Sequence, residues 1–92
     1  MAGIEHLTAV LRSGRLTQTK LADQTGVLLD IESLQVLTLN ETGMFLVERL
    51  CAGVSTTEAL ARAMAAEFEV EEDVAREDVA AFLAELEGFL PT

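Results

Sequence analysis

The chain lacks most of the residues from which catalytic and metal sites are built. Its 92 residues include no tryptophan or tyrosine, one histidine and one cysteine. A single thiol excludes an internal disulfide, and His6 and Cys51 are too few for a metal cluster or a Cys/His catalytic pair. The six glycines are scattered singly, which excludes a phosphate-binding loop. We therefore expect no metal and no cofactor, and Cys51 should pack as a small hydrophobic residue.

Basic side chains are also scarce. Six lysines and arginines stand against sixteen aspartates and glutamates, for a net charge of −10. The charge is uneven, because residues 1–40 carry three basic and four acidic side chains whereas residues 41–92 carry three and twelve. Such a chain repels nucleic-acid phosphates and anionic membrane surfaces. Nucleic-acid binding is therefore disfavoured, and the helical half should be the acidic half.

Long apolar runs are missing as well. No stretch approaches the roughly 20 consecutive apolar residues of a membrane helix, and no N-terminal apolar run flanked by basic residues indicates export. We therefore expect a cytoplasmic protein. A chain of 92 residues makes one small domain with little room for an enclosed active site, so we do not expect an enzyme.

What is present is a run of short β segments. Residues 16–22 alternate apolar and polar side chains, and residues 27–31 and 36–39 are short apolar runs. These patterns predict three strands of an antiparallel meander. Glu32 and Ser33 are predicted to form the turn between the second and third strands. Gly26 is predicted to supply a positive φ before the second strand.

Three helices are predicted after the strands. The first covers residues 41–52, with Asn40 as its N-cap and Gly53 as its terminator. Apolar residues recur at helical spacing in all three segments. The predicted buried positions are Met44, Val47, Leu50 and Cys51, then Leu60, Met64 and Phe68, then Ala75, Val79, Phe82, Leu83 and Leu86.

The other two helices have recognisable ends. Ser55 and Glu58 match a capping box that opens a helix ending near Phe68. The last helix is predicted over residues 71–87, with acidic residues in its first turn and Gly88 as its C-cap. Residues before the strands, 4–11, fit either a helix or an extended arm, and the sequence leaves both open. Strands followed by helices indicate an α+β fold.

The predicted sheet offers a binding site that needs no catalytic residues. A three-stranded sheet has two edge strands, and an uncovered edge presents unpaired backbone amides and carbonyls to another chain. The alternative, which the sequence leaves open, is that both edges are merely short or are covered by an N-terminal arm formed by residues 1–15.

Several stretches together carry a family resemblance. In order along the chain they are VLLD at 27–30, LNETG at 39–43, AxxFEV at 65–70 and DVAAFLAEL at 78–86. Their order and spacing resemble the PqqD-like proteins, the pyrroloquinoline quinone biosynthesis protein D family, over about residues 16–90. Two positions depart from that pattern. Leu34 stands where the hairpin usually has glycine, and Val47 replaces an aromatic residue.

The resemblance implies a winged-helix-like fold and a peptide chaperone rather than an enzyme. It implies that the leader segment of a precursor peptide adds as a strand beside the third strand, in a groove walled by the last helix. A maturation enzyme, such as a radical-SAM protein or a leader peptidase, would be the partner. The acidic wall would favour a leader with basic residues beside its apolar anchors. The implied peptide-binding residues are Gln35, Val36, Leu37, Thr38 and Leu39 on the strand and Asp78, Ala81, Phe82 and Glu85 on the helix.

Two other functions fit the same order of elements. A winged-helix regulator that binds DNA would present Arg or Lys on its recognition helix, but the last helix offers only Arg76 among seven acidic residues. An oligomeric interaction module would pair its edge strand with that of a second copy, which would make a homodimer. Both stay as alternatives to peptide binding.

Overall fold

The computed structural model describes residues 3–89 and has an α+β fold. A three-stranded antiparallel sheet is followed by three helices, as predicted, and one further helix precedes it. That first helix is the segment for which the sequence left helix and arm open. The elements are α1 (Gly3–Leu11), β1 (Leu16–Lys20), β2 (Gly26–Asp30), β3 (Val36–Leu39), α2 (Glu41–Cys51), α3 (Thr57–Phe68) and α4 (Glu72–Phe89).

The sheet has the order β1-β2-β3, so β1 and β3 are its edge strands. β1 pairs with β2 from Leu16 opposite Asp30 to Lys20 opposite Gly26. β3 pairs with the other side of β2, where Leu29 lies opposite Val36. Residues of β2 alternate between buried and half-buried, because one face of the sheet packs on the helices. The predicted meander is thus confirmed.

Gly26 has a different role from the one predicted. The positive φ before β2 belongs to Gln24, at 74°, whereas Gly26 is the buried first residue of the strand. A Cβ atom at position 26 would overlap the Met44 side chain and lie 2.7 Å from the carbonyl oxygen of Thr19. Glycine is therefore needed here for the close approach of α2 and β1, not for its backbone conformation.

The helix caps are partly as predicted. The Asn40 side chain accepts a hydrogen bond from the Gly43 amide at 2.8 Å, which confirms it as the N-cap of α2. The N-cap of α3, however, is Thr56, whose hydroxyl oxygen accepts from the Ala59 amide at 3.0 Å. The predicted capping box starting at Ser55 is wrong, because Thr56 offers the same hydroxyl one residue later. Glu58 instead accepts a hydrogen bond from the guanidinium of Arg76 at 3.2 Å.

Two glycines near helix ends behave differently. Gly53 follows α2 with a φ of 104°, as a C-terminal glycine should. Gly88 lies inside α4, which continues to Phe89, so its predicted role as a C-cap is wrong. Phe89 is half-buried against the core, and this packing outweighs the low helix propensity of glycine.

The core lies between the inner face of the sheet and the helices. α1 contributes Leu7 and Leu11 to it and packs on α2 and α4. Of the predicted core positions, Cys51, Phe68, Phe82 and Leu83 are only half-buried and pack against its margin. Among residues 3–89, no helix is long and apolar enough to cross a membrane. The buried apolar residues of the core are Leu7, Leu11, Leu16, Leu28, Leu39, Met44, Leu46, Val47, Leu50, Leu60, Ala61, Met64, Ala75, Val79 and Leu86.

Candidate functional site

The edge strand β3 directs some of its backbone groups away from the sheet. The Asp30 amide donates to the carbonyl oxygen of Gln35 at 2.9 Å, and hydrogen-bonded pairs recur at every second residue of an antiparallel ladder. Alternate residues of this segment therefore face β2, and those between them face outwards. The backbone groups of Gln35, Leu37 and Leu39 point towards β2, whereas those of Val36 and Thr38 point outwards.

A groove with a volume of about 510 Å³ lies between the end of β3 and α4. Its α4 wall is a single stripe, because side chains three, four and seven residues apart share one face of a helix. Six of the nine residues implied by the family resemblance line it, whereas Gln35, Val36 and Leu37 do not. Asn40 and Thr42 also line it, and the sequence identified Asn40 only as a helix cap. The lining residues are Thr38, Leu39, Asn40, Thr42, Asp78, Ala81, Phe82 and Glu85.

The groove combines apolar residues with one acidic wall, which is on α4. Leu39 is buried and Phe82 is half-buried, whereas Asp78 and Glu85 are exposed on either side of Ala81. No lysine or arginine is among the lining residues within the described chain. The groove is therefore suited to an apolar side chain flanked by cationic groups.

Gly43 helps to set the position of the α4 wall. A Cβ atom there would lie 3.1 Å from Cε1 of Phe82 and 3.2 Å from Oδ1 of Asn40. A side chain at position 43 would therefore require the Phe82 ring and the Asn40 side chain to shift by a few tenths of an ångström. The glycine in the LNETG stretch thus allows the close contact between α2 and α4 that forms one end of the groove.

An ion pair between the buried Asp30 and the half-buried Arg15 holds the hairpin that leads into β3. Asp30 is 3% exposed, and its two carboxylate oxygens accept from Nε and Nη2 of Arg15 at 2.9 and 3.0 Å. The same carboxylate accepts from the backbone amides of Glu32 and Ser33 at 2.9 and 3.3 Å. The hydrogen bonds from Arg15, with help from those amides, hold the pKa of Asp30 well below its usual range although burial opposes the shift. Sequence spacing does not predict this pair, because Arg15 precedes β1 whereas Asp30 is the last residue of β2.

The hairpin turn itself contains a leucine in an unusual conformation. The Leu34 amide donates to the carbonyl oxygen of Asp30 at 2.7 Å, so the predicted turn residues Glu32 and Ser33 lie inside the closed loop. Leu34 has a φ of 62°, in the left-handed region, and its side chain is 74% exposed. This is the position where the family resemblance leads one to expect glycine. A leucine in this region costs roughly 1–2 kcal/mol.

His6 and Cys51, the histidine and the cysteine of the chain, lie apart from the groove. His6 is exposed, and Cys51 is a half-buried free thiol whose sulfur accepts from the Gln18 side-chain amide at 3.0 Å. In the part of the chain that the structure describes, no three His, Cys, Asp or Glu side chains come together as metal ligands would. The groove beside β3 is therefore the candidate site.

Comparison with known proteins gives one family and two related structures. The family model for coenzyme PQQ synthesis protein D (PqqD) matches residues 25–88. The structure of lasso peptide synthetase B1 complexed with the leader peptide is 31% identical, with a TM-score of 0.71, and the match covers 85% of this chain and 93% of that chain. No curated protein matches this chain.

The second structure is TbiB1 in complex with the TbiA(beta) leader peptide. It is 23% identical with a TM-score of 0.71, and the match covers 82% of this chain and 85% of that chain. At this identity the similarity shows a shared fold. Both solved structures therefore have the arrangement of sheet and helices seen here.

Proposed function

We propose that this chain, which belongs to the coenzyme PQQ synthesis protein D (PqqD) family, binds the leader segment of a ribosomally made precursor peptide and presents it to a maturation enzyme. The observation that carries the proposal is the outward-facing edge of β3 beside a groove walled by α4. The 31% identical lasso peptide synthetase B1 forms a complex with a leader peptide, which supports the same kind of ligand for this chain. In this function the chain is a chaperone and has no catalytic role.

The leader binds by strand addition. Val36 and Thr38 direct their backbone amides and carbonyls away from β2, so an added strand pairs with these two residues and extends the sheet to a fourth strand. The pairing sets the register of the leader but carries little information about its sequence. Selectivity therefore has to come from side chains that reach the groove.

The groove selects a leader with apolar anchors and basic neighbours. Leu39 and Phe82 are among the lining residues, and an apolar side chain of the leader packs against them. Asp78 and Glu85 flank that position, and the whole chain carries a net charge of −10. Complementary charge raises the association rate and disfavours acidic peptides. A leader of this composition is the expected ligand.

The enzyme partner is a separate protein that acts on the bound precursor. We infer from the family that it is a radical-SAM protein, a leader peptidase or another enzyme of peptide maturation. The chain contributes recognition, because the residues that line its groove offer apolar contacts and carboxylates that can pair with basic groups of the leader. The homodimer stays an alternative form of the free protein.

Titration of a synthetic cognate leader into the purified chain tests the proposal. Isothermal calorimetry should show saturable binding with one leader per chain. A peptide with the same residues in scrambled order is the control, because it keeps the charge but loses the spacing of the anchors. Equal affinity for the two peptides would show that binding is merely electrostatic and would contradict the proposal.

Duplex DNA should not bind at physiological salt. α4 would have to act as the recognition helix, but its Arg76 is already engaged by Glu58 and Asp73 at 3.2 and 3.1 Å. The remaining charge of α4 is acidic, so no counterions would be released from DNA. Fluorescence anisotropy with labelled duplex DNA checks this. A micromolar, salt-dependent affinity would favour the DNA-binding alternative instead.

A further inference from the structure

The face of the sheet opposite the helices carries no charged side chain. The strand register places its residues in two rows across the sheet, and each of these side chains is exposed or half-buried. Charged residues make up 24% of the whole chain, so their absence from this face is a local feature. The two rows are Thr17, Leu29 and Val36, and Thr19, Val27 and Thr38.

The apolar part of this face continues onto the hairpin between β2 and β3. The exposed fractions are 58% for Val36, 49% for Ile31 and 74% for Leu34. With Leu29 these residues form what we call the outer patch. Contiguous exposed apolar groups on a small protein mark surfaces that bind other proteins.

The conformation of Leu34 is a second, independent sign of function. Its φ of 62° is one that glycine adopts without strain, yet the position holds a large apolar side chain that points into solvent. The side chain adds little to the core, because three quarters of it is exposed. Strain that the fold does not need points to a role in binding.

We propose that the outer patch is the docking surface for the maturation enzyme, which would cover it with an apolar, uncharged surface of its own. This inference rests on the proposed function. Val36 connects the two sites, because its backbone faces the edge where the leader adds and its side chain belongs to the outer patch. An enzyme seated on the outer patch therefore lies directly beside the added strand and receives the precursor as it leaves the groove.

A second copy of the chain is a poorer occupant of the outer patch. Each chain carries a net charge of −10, and two copies repel each other as they approach. The patch contains no charged group that could offset this repulsion. An enzyme without such an excess of negative charge meets no comparable barrier.

Two triple variants test the inference. The patch variant combines Leu29→Thr, Ile31→Thr and Leu34→Asn, which place β-branched residues in or beside the strand, put at 34 a residue that tolerates a positive φ, and leave the leader-pairing Val36 unchanged. The control variant combines Leu21→Asn, Val70→Thr and Val74→Thr, because these three residues are also exposed, by 37–48%, but lie off the patch. Circular dichroism verifies that both variants are folded.

The probes are a synthetic leader peptide and the purified enzyme whose gene lies beside that of the precursor. Calorimetry with each probe should show that the patch variant binds the leader within about twofold of the parent but binds the enzyme at least about tenfold more weakly. The control variant should match the parent with both probes. Equal enzyme affinity of parent and patch variant would overturn the inference.

Two further outcomes separate this inference from its rivals. Sedimentation equilibrium of the parent should give a monomer, and a dimer abolished in the patch variant would overturn the inference in favour of self-association. A parent that binds the enzyme but not the leader would refute the proposed function. The docking inference would then still be decided by the enzyme affinities of the two variants.

Discussion

The two edges of the sheet differ in what lies beside them. The inward-facing side chains of β1 are tied to α2, since Lys20 pairs with Glu48 at 3.4 Å and Gln18 donates to the sulfur of Cys51. β3 instead runs beside the groove walled by α4. Both edges offer backbone groups, but the groove beside β3 has a volume of about 510 Å³, whereas the cavity at the end of β1, lined by Lys20 among others, has a volume of about 130 Å³. A peptide site therefore requires the wall as well as the edge.

The backbone register makes the two edges directly comparable. The Ile31 amide donates to the carbonyl oxygen of Arg15 at 3.1 Å. The backbone groups of the odd-numbered residues of β1 therefore point towards β2. The backbone groups of Gln18, which is even-numbered, face outwards at the β1 edge as those of Thr38 do at the β3 edge. Proline at either position removes an outward amide without removing a hydrogen bond of the sheet. Substitutions at these two residues thus form a matched pair.

The largest effect is expected from Thr38→Pro. It removes an amide that the added leader uses and places a ring in its path, so the Kd for the leader should rise at least about tenfold. Gln18→Pro should leave leader affinity within about twofold of the parent. Calorimetry measures both, and circular dichroism verifies the folds. Equal losses of leader affinity in the two variants would show that the leader does not bind at the β3 edge in preference to the β1 edge.

The next largest effect is expected from Ala81→Arg on the α4 wall. The long cation should obstruct the groove, pair with its carboxylates and repel a basic leader, so affinity should fall about fivefold. Ala80→Arg is the matched control, because Ala80 is exposed on α4 but does not line the groove. If Thr38→Pro and Ala81→Arg both fold and bind the leader as tightly as the parent, the proposed groove is in the wrong place.

The third prediction concerns the ion pair between Arg15 and Asp30, which holds the hairpin that leads into β3. Asp30→Asn removes the charge that pairs with Arg15 and should lower the melting temperature at neutral pH. Because the pKa of Asp30 is lowered by folding, its stabilising contribution is present above its unfolded pKa of about 3.9 and is lost as the pH falls towards its folded pKa. The difference between parent and variant should therefore shrink on acidification.

Thermal unfolding followed by circular dichroism at several pH values measures this difference. Glu32→Gln is the control, because Glu32 also pairs with Arg15 but at 3.7 Å and with 66% of its side chain exposed. It should lower the melting temperature less than Asp30→Asn does. A difference between parent and Asp30→Asn that grows on acidification would contradict the assigned role of the ion pair.

The smallest effect is expected at the two hairpins. Leu34→Gly removes the strain of a positive φ but adds freedom to the unfolded chain, so the free energy of unfolding should rise by only about 0.5–1 kcal/mol. Gln24→Gly makes the same change in the β1–β2 hairpin, where φ is 74°. Urea unfolding should give similar gains for both variants. A clear loss of stability in Leu34→Gly would mean that the leucine side chain supports the fold.

The order of elements was predictable because strands and helices have different periodicities. Residues 27–31 are too short an apolar run for a helix, whereas the α4 residues Asp78, Ala81, Phe82 and Glu85 fall on one helical stripe. The family resemblance implies a peptide site at the edge of β3 rather than at that of β1. Composition alone does not distinguish those two edges.

Other features could not be read from the sequence because they depend on packing. Ser55 and Thr56 are both good N-cap residues, and only the backbone conformation selects Thr56. Nothing in the spacing of Arg15 and Asp30 indicates that they meet across two strands. The charge-free outer face becomes visible only when the register brings residues of three strands together.

The shortness of β3 affects how readily the unpaired edge associates with a second copy of the chain. Open strand edges are where proteins join into aggregates, and natural proteins protect them by keeping edge strands short. β3 is four residues long and turns the backbone groups of only Val36 and Thr38 outwards. Another copy therefore gains few hydrogen bonds at this edge while meeting a chain of the same strong negative charge. The short edge and the negative charge both disfavour edge-to-edge association of free copies.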